Sequence, residues 1–193
     1  MAETMQPGLW LHAHVIDAWA AILNHEEKIR SDSTKFRYFF DTTIVTDFLF
    51  DGKIHFTERC EKLESIIKDT MKKDKEPATF DKVDLILLFC SYLRKVKHKS
   101  TSQLENVDPH RLKMNWRTRG NYNDCGVFCM RHMETYMGDN SGNWSCGLNK
   151  ESPKQQEIDY LRFKYLTKIL LSDINQLRDK IIAQTEKFAK KSP

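Results

Sequence analysis

No apolar run in this chain approaches the roughly 20 residues that a membrane helix needs. The longest is Leu85 to Cys90, six residues, so no membrane association is expected. There is no internal repeat and no low-complexity tract. Cysteine is sparse and odd in number: Cys60, Cys90, Cys125, Cys129 and Cys146. Irregular spacing of an odd count does not read as a disulfide framework and points to a reducing compartment. No Cys-x-x-Cys pair occurs. Cys125 and Cys129 stand at i, i+4 without a second ligand pair nearby, so no zinc site and no cofactor are expected. An excess of one charge is also missing: 31 basic residues face 27 acidic ones, spread along the chain. Phosphate binding needs clustered positive charge, so nucleic acid is an unlikely partner. Met1 to Gly8 has no basic start followed by an apolar stretch, which argues against a secretory leader. The expected location is nuclear or cytoplasmic.

What is present suits a packed protein. The 193 residues are 40% hydrophobic and 11% aromatic, enough for the core of a single domain. After the Pro7-Gly8 turn signal, Leu9, Trp10, Val15, Ile16, Trp19, Ile22 and Leu23 recur at helical spacing, predicting a helix to about Asn24. Asn24 to Ser33 is charged and polar and reads as a loop. Thr42 to Thr46 reads as strand by β-branched propensity, while the flanking aromatics fit a continuing buried helix equally well. Thr57 opens an amphipathic helix with Leu63, Ile66, Ile67 and Met71 on one face. A helix is expected from about Leu85 to Val96, a polar linker from Lys97 to Pro109, and a short half-buried strand at Arg111 to Arg117, where apolar and polar residues alternate. Cys125 to Met137 is a strongly apolar helix ending near Gly138, a favourable C-terminal cap. Asp139 to Pro153 is a loop rich in Asn, Ser and Gly. One long C-terminal helix is expected over 154–190, with Leu170, Ile174, Leu177, Ile181 and Phe188 as its seam.

The chemistry concentrates at Asn121-Tyr-Asn-Asp-Cys-Gly-Val-Phe128. A strand, a turn and a buried helix would place Cys125 in the first helical turn, where unpaired N–H groups and the helix dipole favour a thiolate. Gly126 permits close backbone approach, and N–H groups at a helix start can face a developing oxyanion. The plainer reading makes Cys125 a small core residue, since free cysteine is among the most buried residue types.

Trp116 to Gly138, with Asn121, Asp124-Cys-Gly-Val-Phe128 and Met130-Arg-His-Met-Glu-Thr-Tyr136, resembles the nucleophile segment of the ubiquitin-like-protein (SUMO-type) cysteine proteases, particularly their plant branch. Leu9-Trp10-Leu11, Val15-Ile-Asp17 and Trp19 resemble that family's domain start, and Phe36 to Lys53 and Tyr165 to Leu177 fit as well. The resemblance implies an α+β, papain-like fold, cleavage of peptide or isopeptide bonds after a ubiquitin-like modifier, and Cys125 as the nucleophile. Its implied partners are SUMO or another ubiquitin-like modifier and the conjugates of either.

Against that pattern, the chain lacks a base. A thiol with a pKa of about 8.5 is only slightly ionised at neutral pH, and a histidine normally takes its proton. The family supplies it as a His-aromatic pair on a strand, with an Asp or Asn on the next strand, both before the cysteine. Here Asp81 to Leu85 resembles the approach to the first strand, and Ile86 to Tyr92 resembles the helix after the second. Nothing matching the two strands lies between, as an internal deletion would leave it. The expected fold is therefore a truncated, helix-dominated version with a small residual sheet. His132 follows Cys125 by seven residues, about 10 Å along a helix at 1.5 Å per residue, out of hydrogen-bond reach. His98 and His110 are the least remote candidates. The family's oxyanion-donor position, often Gln, holds Arg119, a donor of different geometry and charge. Ala13 replaces an acid common at the domain start.

Three functions follow from these readings. A modifier protease needs an imidazole within reach of Cys125. A non-catalytic relic that binds a partner needs none. A helical interaction protein needs the seam from Leu170 to Phe188 exposed, whereas a seam packed on the domain is the commoner arrangement.

Overall fold

The computed structural model describes residues 3–30, 37–44, 53–73, 121–138, 144–148 and 155–190. Among them are five α-helices: α1 (Ala13–Lys28), α2 (Phe56–Lys73), α3 (Cys125–Thr135), α4 (Gln155–Leu171) and α5 (Arg178–Ala189). Two short 3-10 turns, Glu3–Met5 and Thr42–Ile44, complete the regular structure.

Three helices build the core. α1 packs on α3 and α4, and α3 packs on α4. The helical spacing of Val15, Trp19, Ile22 and Leu23 puts all four on one buried face of α1. Val127 and Met130 meet them from α3, and Ile158, Leu161, Tyr165 and Ile169 from α4. Trp19 sits at the junction, fully buried. Its indole N–H donates to the Met130 carbonyl at 3.2 Å, and its ring stands 4.6 Å from that of Tyr165. A buried indole needs such an acceptor. The polar N–H thereby ties α1 to α3 at a defined height.

The expected α+β, papain-like fold with a residual sheet is corrected here: the described residues form helices and turns, with no strand and no sheet among them. At Thr42 local hydrogen bonding overrides β propensity. Its backbone N–H and hydroxyl both donate to the Asp17 carboxylate of α1, and the Ile44 N–H turns back to the Asp41 carbonyl. Trp144 to Leu148 alternates buried and exposed residues as a strand would, burying Trp144, Cys146 and Leu148. Among the described residues no ladder holds it; Arg131 Nε donates to the Cys146 carbonyl at 2.6 Å instead. The strand expected at 111–117 and the helix expected over 85–96 lie outside the described residues.

Two helix boundaries also differ. α1 runs past Asn24 to Lys28 because the polar residues of its last turns find partners. The Asn24 amide donates to the Phe39 carbonyl at 2.7 Å and accepts from the Phe39 N–H at 2.8 Å. Glu27 is buried and accepts from Arg30 and Arg37. The single helix expected over 154–190 is two. The Asn175 amide donates to the Ile169 and Leu170 carbonyls at 3.2 and 2.9 Å and so satisfies the end of α4. α4 faces inward through Ile158, Leu161, Arg162, Tyr165 and Ile169, while α5 buries none of its residues.

Candidate nucleophile site

Cys125 is the first residue of α3 and is exposed. Three features fix the helix around it. At its start, Asp124 is 2% exposed and pairs with Arg162 of α4, 1% exposed. Arg162 Nε and Nη2 donate to Asp124 Oδ1 at 3.0 and 2.6 Å. The same guanidinium donates to the carbonyls of Gln6, Leu9 and Asn123 at 3.2, 2.8 and 3.0 Å. The other carboxylate oxygen of Asp124 accepts from the Asn121 amide at 2.9 Å. A buried ion pair is tolerable only when its remaining hydrogen-bonding capacity is filled, and here it is. Since the Asp124 carboxylate is committed to Arg162 and Asn121, it does not cap α3, which starts without a side-chain cap. Beside Cys125, the Asp124 carboxylate is therefore matched by the opposite charge of Arg162.

At the far end, Arg37 Nη1 donates to the carbonyls of Met133 and Tyr136, both at 2.9 Å. These are among the carbonyls a helix end leaves unpaired, and a cation is favourable there. Glu27 holds the same arginine through Nε at 2.9 Å. Along the side, a β-carbon built on Gly126 would lie 2.8 Å from both Cβ and Cδ2 of Leu11. The absence of a side chain at Gly126 is therefore what lets the segment before α1 cross the first turn of α3. Asn123 Nδ2 donates to the Gly8 carbonyl at 2.9 Å and pins the same crossing.

Among the described residues, the polar partner of Cys125 Sγ is the Asn121 carbonyl at 3.9 Å. The described histidines are occupied elsewhere. His12 Nδ1 accepts from the His14 N–H at the start of α1, and His14 Nδ1 lies 3.8 Å from Asp17. His25 lines an open groove between α1 and α4, and His55 Nδ1 accepts from the Thr57 N–H at 3.4 Å. His132 is half-buried with its ring 5.1 Å from that of Trp144, and burial pushes its pKa down. Arg119, His98 and His110 lie outside the described residues. Of the sequence-derived site residues, Cys125 and Gly126 are thus placed together at one helix start. Among the described residues no group of three or more His, Cys, Asp or Glu side chains is arranged to hold a metal ion, and no helix is long and apolar enough to cross a membrane.

Cys129 lies one turn beyond Cys125 and is also exposed, not sunk in the apolar face. Protein packed around its sulfur nevertheless raises its pKa by desolvation. Sequence reasoning missed the two arginines that set the helix. Arg162 had a signal: it falls at the inward position between Ile158 and Tyr165, where a charge is out of place unless paired. Arg37 had none.

No family model, no curated protein and no solved structure matches the chain.

Proposed function

We propose that this chain is a cysteine-peptidase-type protein of the ubiquitin-like-modifier (SUMO) class that has kept the nucleophile segment and lost turnover. The observation that supports it most is the placement of Cys125: exposed, first in α3, with Asp124 and Gly126 on either side each committed to a specific tertiary contact. A cysteine kept only for packing would be turned into the core, as Cys146 is, fully buried. The reading rests on this segment and on the residues that resemble the family, not on a papain-like sheet. Loss of turnover follows from the missing His-aromatic strand and its acid. The test is a modifier bearing a C-terminal vinyl sulfone, compared with the same electrophile free in solution. Modifier recognition predicts faster labelling of Cys125 by the modifier-borne reagent. Equal rates at equal concentration contradict recognition.

A second reading has one observation in its favour. Ile174, Leu177 and Phe188 are exposed, Phe188 to 74%. Part of the expected seam, Ile174 and Leu177 between α4 and α5, therefore faces outward, as a helical protein-binding module requires. Deleting α5 and measuring partner binding, with the fold monitored by circular dichroism, separates the two readings. On the first reading modifier labelling of Cys125 survives the deletion; on the second the deletion abolishes partner binding and no modifier-accelerated labelling occurs with or without α5.

A further inference from the structure

α4 is apolar on two sides. Ile158, Leu161, Tyr165 and Ile169 face the core, while Tyr160, Phe163 and Leu171 share the outer side. A surface helix normally carries one apolar stripe, and a helix that is apolar all round is a covered one. Here the outer side is open. With the end of α1 it forms a groove of about 450 Å³, which Ile29, Tyr160, Phe163 and Leu171 line and which ends at Ser172 and Asp173. Directly beyond that end, Ile174 and Leu177 stand out from the connection to α5. These six large apolar residues are between 42 and 78% exposed. We propose that this face is a two-fold interface between two copies of the chain, in which Ile174 and Leu177 of each copy fill the groove between Ile29 and Phe163 of the other.

Three observations select a second copy as the occupant. Hollow and ridge lie side by side on one face, so the face complements itself, as a two-fold contact requires. The charges on the rim are already matched within the chain. Lys168 Nζ stands 2.6 Å from Glu26, Lys164 Nζ 2.7 Å from Glu134, and Arg178 Nε 3.7 Å from Asp173. These pairs leave the rim with no excess of either sign. A second copy therefore meets it without like-charge repulsion, and a strongly acidic or basic peptide gains nothing from it. The area also fits. At about 150–250 Å² for an aromatic side chain and about 60–120 Å² for an aliphatic one, the exposed fractions amount to roughly 350–600 Å² of apolar surface. A standard interface buries about 800 Å² per partner, a little over half of it apolar, or roughly 450–500 Å². The interface uses neither Cys125 nor a modifier and needs no partner but the chain itself, so it stands or falls separately from both functional readings.

The test is sedimentation velocity of the full chain across the micromolar range, on the wild type, Phe163→Glu and Leu177→Glu. Both side chains are exposed, so the substitutions leave the core intact, and an unchanged circular dichroism spectrum checks this. The proposal expects a monomer–dimer equilibrium in the wild type and dimerisation at least tenfold weaker in each variant. An equimolar mixture of the two variants reads the two-fold pairing. The mixed dimer keeps one sound contact, between Leu177 of the Phe163→Glu copy and the intact groove of the Leu177→Glu copy. It should therefore form more readily than a dimer of either variant alone. A wild type that stays monomeric throughout leaves the groove to a different protein or to solvent and overturns the proposal. A dimer that neither substitution weakens, or a mixture that pairs no better than its components, overturns it as well.

Discussion

At the scale of single residues, Gly126 and the two α3 cysteines carry the sharpest expectations. An alanine at 126 gains up to about 1 kcal/mol of helix propensity but forces Leu11 aside, and overpacking of this kind costs about 1–3 kcal/mol. Gly126→Ala should therefore lower the urea midpoint despite the better helix former, and a stabilised variant would show that Leu11 does not cross α3 so closely. The cysteines differ in environment although both are exposed. Burial raises the Cys129 thiol, which reduces its reactive thiolate at neutral pH, while Cys125 stands at the helix start. Timed alkylation followed by peptide mapping should find Cys125 modified first; a faster Cys129 would count against its assignment as the nucleophile position.

At the scale of elements, α3 is a helix held by charge at both ends. Removing one partner of a buried pair costs about 3–5 kcal/mol, against a typical total stability of 5–15. Arg162→Met should cost that much, because it strands the Asp124 carboxylate and strips donors from three carbonyls. Adding Asp124→Asn should recover part of the loss. A double-mutant cycle in urea checks this, and two small, additive effects would mean that the pair is incidental. Glu134, near the other end, adds a pH dependence. Burial alone would raise its pKa, but Lys164 and Arg131, at 2.7 and 2.5 Å, bring it below the usual value. A depressed carboxylate pKa stabilises the fold above the unfolded value of about 4.3, and that contribution is lost as pH falls through the folded one. Glu134→Gln should flatten the acid limb of the stability profile, and an unchanged limb would exclude Glu134 as its source.

Much of this was legible at the level of elements. Apolar spacing marked α1 and α2, and the Asp124-Cys-Gly126 turn marked the start of α3. Glu27, Arg37 and Arg162 were not legible as buried, because a charged residue turns inward only when a partner distant in sequence meets it. The break between α4 and α5 was hidden for a similar reason. Leu170, Ile174 and Leu177 continue a helical period, while the Asn175 amide that ends α4 acts through backbone the pattern does not register.

At the scale of the whole molecule, α1, α3 and α4 lock an exposed cysteine at a helix start and bring no described imidazole to it. α5 packs on α4 and buries none of its residues. A nucleophile position with a fixed backbone and no general base among the described residues should bind and not turn over, since proton transfer from a positioned base contributes about 10²–10⁴ in rate. The most direct measurement is processing of SUMO and ubiquitin-like precursors by the full chain at neutral pH, alongside Cys125→Ala. The expected result is the same background rate for both proteins. Robust cleavage that Cys125→Ala abolishes would contradict it, and His98 and His110 would then be the first residues to substitute.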